Sequence, residues 1–236
     1  MVLDNAEQAA YHLNDLEQLL STKEVLYFPA SYREAYNPEA TDNTNVLLRS
    51  EVLKKLSNPK QNKIIVTYPQ ALFEKVMSQN TLKRKTLTIK TSDVISLDFV
   101  NETLFEYGFD RVNFVTQPGD FSVRGGIVDV FSFAHKHPYR IEFFDEEIES
   151  LRSFDVNTQL SIRAFDQIDL LPNTSRVTSS ENRKSLIDSL PKFSTVVFNQ
   201  LDLCLDRIEK LNAKVSKLFE SQETTDQYPP EVLFLN

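Results

Sequence analysis

Residues 108–131 read GFDRVNFVTQPGDFSVRGGIVDVF and contain all four glycines of the protein. Glycine adopts positive φ freely and lets another backbone approach closely, so special backbone geometry is expected in this one region. Gly108 follows a helical pattern over 101–107, where a left-handed C-cap belongs. Pro118-Gly119 suits the central positions of a tight turn, and Gly125-Gly126 is predicted to interrupt a strand, as at a bulge or close approach.

A second hairpin is predicted immediately downstream. Residues 139–155 alternate polar and apolar side chains, pass through an acidic turn and then resume apolar spacing. Together with the strands of 108–131, this hairpin predicts a small antiparallel sheet.

Two motifs in this region resemble a known family. They are Pro-Gly-Asp-Phe-x-x-Arg-Gly-Gly-Ile-Val-Asp-x-Phe, beginning at Pro118, and Arg-Ile-Glu-Phe-Phe-Asp-x-Glu-Ile, beginning at Arg140. The pair resembles the domain 2 signature shared by the B subunit of the bacterial excision nuclease (UvrB) and the transcription-repair coupling factor. The resemblance covers about residues 24–172 and is strongest over 105–157.

The flanking segments predict an α/β layer. Two short apolar runs, 25–28 and 64–68, resemble strands buried on both faces, and a helical pattern over 46–56 separates them. Strand, helix and strand at this spacing form a βαβ unit of a parallel sheet. After a polar linker, 181–190 is predicted to be a helix, 195–198 a buried strand and 201–218 a long amphipathic helix.

The predicted fold class is therefore α/β, with a partial parallel-sheet layer and an inserted small α+β domain that contains an antiparallel sheet. The resemblance implies that the layer is a degenerate P-loop, RecA-like one. It also implies the domain limits: a domain 1a-like part at 1–77, a domain 2-like part at 78–158, and a connector with a domain 1b-like part at 159–236.

Composition restricts the classes of partner and compartment. The formal net charge is −8, which opposes nonspecific binding to a phosphate backbone and favours a protein partner. The single cysteine, Cys204, cannot form an internal disulfide and is expected in the core. No apolar run is long enough to span a membrane and no secretory signal pattern is present, so a cytoplasmic location is expected.

Nucleotide hydrolysis is not expected. The sequence has no Gly-x-x-x-x-Gly-Lys-Ser/Thr motif, and its glycines are confined to 108–126. The excision-nuclease B subunit carries such a loop, so the resemblance fits the coupling factor, whose N-terminal module has lost it. Whether Met1 is a natural start or a cut just inside the first strand stays open.

An alternative is a small Mg²⁺-dependent nuclease built on Asp129, Glu142 and Asp145. The lysine that such a pattern places two positions after the Glu is missing. We expect instead that these carboxylates are exposed and pair across the sheet with arginines, namely Arg124, Arg140 or Arg152. The three histidines, His12, His135 and His137, are not spaced as a metal site. No catalytic residue, cofactor or metal is predicted.

The resemblance implies a protein-binding site. In the family, an arginine ahead of the glycine pair, an arginine on the preceding strand and a phenylalanine after the conserved Asp help to bind the excision-nuclease A subunit (UvrA). The matching positions are Arg124, Arg111 and Phe131. Arginine is also favoured at interface centres because its planar fork makes directional bonds to carboxylates.

The expected function is that of a non-catalytic adaptor in transcription-coupled nucleotide excision repair, which recruits UvrA to lesions where RNA polymerase has stalled. In the family, RNA polymerase and double-stranded DNA bind other domains of the full-length protein, whose motor is an ATP-dependent DNA translocase absent from this sequence. The alternative is a DNA-binding, damage-sensing fragment of the B subunit.

Overall fold

The computed structural model describes residues 1–32, 41–56, 62–175, 183–221 and 228–235. The helices are α1 (Ala6–Leu19), α2 (Asn43–Leu56), α3 (Pro69–Phe73), α4 (Gln79–Arg84), α5 (Leu97–Glu106), α6 (Leu201–Ser221) and α7 (Pro230–Leu233). The strands are β1 (Glu24–Tyr27), β2 (Lys63–Val66), β3 (Val76–Met77), β4 (Leu87–Lys90), β5 (Asp110–Arg111), β6 (Asp120–Arg124), β7 (Ile127–Val130), β8 (Tyr139–Phe144), β9 (Glu147–Phe154), β10 (Ser161–Ala164), β11 (Gln167–Leu170) and β12 (Arg183–Lys184).

The chain divides into two compact units. Unit 1 comprises Met1–Thr81 and Val177–Asn236, and unit 2 comprises Leu82–Arg176. The sequence placed the inserted domain at 78–158, whereas β10 and β11 extend unit 2 beyond 158 because they pair with its own strands β9 and β4. The folded chain is thus a mixture of helices with antiparallel and parallel sheets.

Unit 1 contains the predicted βαβ arrangement. Strands β1 and β2 pair in parallel, and α2 lies between them in the chain. Val2 adds a parallel bridge to Thr67 and another to Phe198, so one residue links two distant parts of the sequence. Its amide donates to the carbonyl of Val197 at 2.7 Å.

Two predictions for the second half of unit 1 are wrong. Residues 195–198 do not form a buried strand; only Phe198 makes a bridge, because Val2 is its single partner. Among the described residues of 181–190 there is no α-helix, only β12 and a short 3₁₀ turn at Ile187–Ser189. The Ser185 hydroxyl accepts from the amide of Asp188 at the start of this turn, as an N-cap side chain does.

The predicted long helix α6 is confirmed, and it packs against α3 and α7 of unit 1. Its Val215 forms a buried cluster with Phe73 of α3 and Phe234. The two phenylalanine rings stack with centroids 4.8 Å apart. Cys204 is buried, as expected.

Unit 2 is built on a six-stranded sheet with the order β10-β9-β8-β7-β6-β5. All neighbours are antiparallel except β5 and β6, which are parallel. Strands β8 and β9 are the predicted second hairpin, with Asp145 of its acidic turn at φ 57°. A separate antiparallel pair joins β4 to β11.

The glycine predictions hold at two of three places. Gly108 has φ 77° and its amide donates to Phe105, while the next amide donates to Leu104, which is a Schellman cap of α5. Gly119 has φ 93° in a turn closed by a hydrogen bond from the Asp120 amide to the Gln117 carbonyl, at 3.1 Å.

Gly125-Gly126 does not interrupt a strand, contrary to the prediction. The two residues form the loop of the hairpin that joins β6 to β7, in which Arg124 pairs with Ile127. Gly125 has φ 57° at the first loop position, as in a type II′ turn. The predicted close approach is present at Gly126, where an added Cβ would lie 2.9 Å from the carbonyl oxygen of Phe143.

Candidate partner-binding face of the antiparallel sheet

The six-stranded sheet of unit 2 has one apolar and one polar face, because side chains alternate along each strand. The apolar face buries Phe121, Val128, Val130 and Ile141, and the ring of Phe105 on α5 meets Phe121 edge-on. The register brings polar side chains to the other face, here named the polar face, among them Ser122, Arg124, Asp129, Arg140, Glu142, Ser150 and Arg152.

Asp129 is the centre of the polar face. Its side chain is only 2% exposed, and a buried carboxylate requires charged partners. Arg140 binds it through both branches, with Nε 2.6 Å from Oδ1 and Nη2 2.8 Å from Oδ2. Nη2 of Arg124 lies 2.6 Å from Oδ2. These hydrogen bonds from Arg140 to Asp129 raise the pKa of the Arg140 guanidinium.

The cross-strand pairing of carboxylates with arginines is therefore confirmed, with one correction. Asp129 is buried, whereas the sequence suggested exposed carboxylates. The difference arises because two arginines make three hydrogen bonds to the two carboxylate oxygens and neutralise the charge that burial removes from water. Glu142 makes a similar pair with Arg152.

Arg124 ends β6 and its side chain is 46% exposed. Only Nη2 makes a hydrogen bond within the described part of the chain, so most of the five guanidinium N–H donors are free to bind a partner. Its Cζ lies 5.6 Å from the centroid of the Phe114 ring, within the range of a cation–π contact. The hairpin loop at Gly125-Gly126 follows directly, so Arg124 lies at the tip of the hairpin.

The other two predicted site residues are not on the polar face. Arg111 is exposed on the edge strand β5, but the register pairs it with Phe121, whose side chain lies on the apolar face. Phe131 is 7% exposed and packs with Val115 and Phe154. The structure thus places Arg111 on the strand next to that of Arg124, and it places Phe131 in the core.

The loop between β5 and β6 contains a residue that sequence reasoning missed. Val115 is buried, but Phe114 beside it is 66% exposed. No sequence signal distinguishes the two, since an apolar residue in a loop is usually core.

Sequence reasoning also missed Asp120, which stabilises the loop between β5 and β6. Its Oδ2 accepts hydrogen bonds from the amides of Thr116 and Gln117 at 2.9 and 3.0 Å. These amides come three and four residues before Asp120, the reverse of the direction in an Asx turn, so that turn signal does not reveal this role in the sequence.

Of the three carboxylates proposed for a nuclease, Asp129 and Glu142 are bound by arginines, and Asp145 lies in the turn between β8 and β9. Within residues 1–32, 41–56, 62–175, 183–221 and 228–235, no group of three His, Cys, Asp or Glu side chains could hold a metal ion. His135 stacks on Tyr139 with ring centroids 5.0 Å apart.

Comparison with known families identifies the segment that carries this face. The family model described as the UvrB interaction domain matches residues 87–175. Residues 87–175 are therefore similar to the UvrB interaction domain. The match begins at β4 and ends after β11, so the matched segment coincides closely with unit 2.

Curated relatives extend the similarity beyond the UvrB interaction domain and confirm the resemblance to the coupling factor. The chain is 27% identical to the transcription-repair-coupling factor of Bacillus subtilis (strain 168) over 230 residues, 96% of this chain and 19% of that protein. It is 30% identical to the Haemophilus influenzae protein of the same name over 165 residues, 70% of this chain and 14% of the relative. With the Escherichia coli (strain K12) protein it shares 32% identity over 112 residues, 48% of this chain and 10% of the relative. The chain therefore spans less than a fifth of the length of the relatives it matches.

In the described part of the chain, no helix combines the length and the apolar character that crossing a membrane requires.

Proposed function

We propose that this chain is a non-catalytic adaptor module of a transcription-repair coupling factor. It binds the excision-nuclease A subunit (UvrA) and so recruits it to lesions where RNA polymerase has stalled, in transcription-coupled nucleotide excision repair. Two findings support the proposal: residues 87–175 are similar to the UvrB interaction domain, and the chain is similar to transcription-repair-coupling factors over most of its length.

The observation that carries the proposal is the geometry of Arg124. A half-exposed guanidinium at a hairpin tip, fixed on one side by a buried carboxylate, is arranged to bind an acidic group of a partner. The net charge of the chain is −8, which opposes nonspecific binding to a phosphate backbone and favours a protein partner.

The structure determines which substitution tests the proposal. Arg124→Glu would place a second carboxylate beside the buried Asp129 and would disturb folding as well as binding. Arg124→Ala leaves Arg140 to neutralise Asp129, but it removes one hydrogen bond to a buried carboxylate, which costs about 1–3 kcal/mol of stability. Truncating a central interface arginine commonly costs about 2 kcal/mol or more, roughly thirtyfold in affinity. We expect Arg124→Ala to lower the Tm moderately and to weaken UvrA binding to this degree when the affinity is measured well below that Tm, where the variant is folded.

Calorimetric titration of the chain with purified UvrA measures the affinity. Arg163→Ala is the matched control, because Arg163 is an exposed arginine on β10 of the same sheet. Arg111→Ala should have a smaller effect than Arg124→Ala, since Arg111 lies at the sheet edge. Wild-type affinity of the Arg124→Ala variant would refute the proposed site. Tight, damage-dependent binding of the chain alone to duplex DNA in a gel-shift assay would favour the B-subunit alternative.

We infer that the remainder of the family's activity belongs to other domains. RNA polymerase and double-stranded DNA are proposed as partners of the whole protein, with an ATP-dependent translocase as its motor, and a cytoplasmic location fits such a factor. Unit 1 is proposed to be a degenerate P-loop, RecA-like layer. The parallel pair β1–β2 with its intervening helix supports this origin.

A further inference from the structure

We infer that Phe114 supplies the aromatic contact of the partner-binding surface and that Phe131 supports it from the core. The inference rests on the proposed function, since it names a further contact residue of the same site. The kind of partner surface that Phe114 and Arg124 fit together is a carboxylate with an apolar group beside it.

The first argument is burial. A residue that contacts a partner has to be accessible in the free protein, and Phe131 is 7% exposed whereas Phe114 is 66% exposed. Large exposed aromatic side chains that adjoin an arginine are typical of interface centres, where Trp, Tyr and Arg are enriched and Phe is common.

The second argument is that the backbone around Phe114 is fixed on both sides. Val115 inserts into a buried cluster with Phe131 and Phe154, and Val112 packs against the same cluster. The Val112 amide donates to the carbonyl of Phe121 at 2.8 Å. A side chain held out from an ordered loop loses little conformational freedom on binding, so its contact area contributes more fully to affinity.

The third argument is the contact with Arg124. The Phe114 ring lies 5.6 Å from Cζ of Arg124, whose other side is bound to Asp129. Phe114 and Asp129 together hold the guanidinium in place, and Phe114 adds an apolar surface next to its free donors. Phe131 takes part indirectly, because it packs against Val115, the neighbour of Phe114 in the chain.

The test compares three phenylalanine variants of the full chain by titration with UvrA and by thermal unfolding. Phe114→Ala should weaken binding at least about tenfold with a Tm close to that of the wild type. Phe99→Ala is the matched control, because Phe99 is an exposed phenylalanine of unit 2 on α5, and it should bind as the wild type does. Phe131→Leu should lower the Tm and weaken binding by the folded protein less than Phe114→Ala does, because Phe131 acts on the surface only through Val115.

Two outcomes would overturn the inference. Wild-type affinity of Phe114→Ala, with binding still lost in Arg124→Ala, would show that Phe114 is not a contact while the proposed function stands. Stronger loss of binding in folded Phe131→Leu than in Phe114→Ala would return the aromatic role to Phe131. Failure of the proposed function is distinguishable, because Arg124→Ala would then bind UvrA normally.

Discussion

Gly125 and Gly126 are adjacent, but an added methyl group meets different obstacles at the two positions. At Gly126 it would lie 2.9 Å from the backbone oxygen of Phe143, and the Phe143 amide also donates to the Gly126 carbonyl at 2.8 Å. The obstacle is backbone, so the ladder between the two hairpins has to shift. We expect Gly126→Ala to lower the free energy of unfolding by about 2 kcal/mol, measured by urea unfolding.

Gly125 provides the control for this prediction. Nothing lies within 4 Å of its added Cβ, but its φ of 57° strains a side chain. Gly125→Ala should therefore cost about 1 kcal/mol, and Gly125→Asn less, because Asn tolerates this conformation. Equal stability of Gly126→Ala and the wild type would contradict the close approach.

Cys204 gives a prediction about pH. Burial raises the pKa of the Cys204 thiol, so the neutral form is favoured in the folded protein and less thiolate is present at a given pH. Since the thiolate is the reactive form, alkylation by iodoacetamide at neutral pH should be slow in the native chain and fast in urea. The native rate should rise only at a higher pH than that of a free cysteine in solution. Rapid native labelling at neutral pH would contradict the burial of the thiol.

At the scale of single residues, the sequence predicts backbone geometry better than it predicts exposure. Gly108 and Gly119 were assigned correctly because positive φ has a local cause that neighbouring residues reveal. Phe131 and Phe114 could not be separated in the same way. Which of two apolar side chains is buried depends on Val115 and Phe154, and Phe154 is distant in the sequence.

At the scale of elements, the stacked pair Phe73–Phe234 joins α3 to the segment after α7, and both rings pack against Val215 of α6. The rings are nearly parallel at an interplanar angle of 13°, and both are buried with Val215. Phe234→Ala should lower the stability of unit 1 by about 3–5 kcal/mol, measured by urea unfolding. Phe193 is fully exposed, so Phe193→Ala should change stability by less than about 0.5 kcal/mol. Similar values for both variants would contradict the described cluster.

Elements with a strong local pattern were predicted, and elements defined by one distant partner were not. The hairpin β8–β9 and helix α6 follow from alternation and helical spacing within their own residues. Residues 195–198 have the composition of a strand, but Val2 is the one described residue that pairs with them, so no regular strand is seen there. The polar face was anticipated through its arginines, whereas the burial of Asp129 depends on the register of three strands.

At the scale of the molecule, unit 2 should fold by itself. Its strands pair only among themselves in the two sheets of the unit, β10-β9-β8-β7-β6-β5 and β11-β4. We expect residues 78–176 expressed alone to unfold cooperatively, as measured by circular dichroism. The segment should start at Ser78, whose hydroxyl accepts from the amide of Thr81 at 3.2 Å. Residues 1–81 alone should not fold, because Val215 and Phe234 would be missing from their core. A gradual, non-cooperative transition for 78–176 would contradict the independence of unit 2.

The proposed loss of the phosphate loop leads to a last prediction for the whole chain. A ligand that binds only the native state raises the Tm by mass action. Millimolar Mg-ATP should leave the Tm unchanged in a thermal unfolding experiment. A saturable increase would show nucleotide binding.

The bridge from Val2 to Phe198 also predicts the order in which the two units fold during synthesis. A ribosome releases residues 82–176, with all the strand partners of unit 2, before Phe198 has been made. Domains generally fold as units as they emerge, so unit 2 should reach its native state while Val2 still lacks its bridge partner Phe198. Protease treatment of ribosome-bound chains stalled near residue 215 should therefore leave unit 2 intact and degrade unit 1.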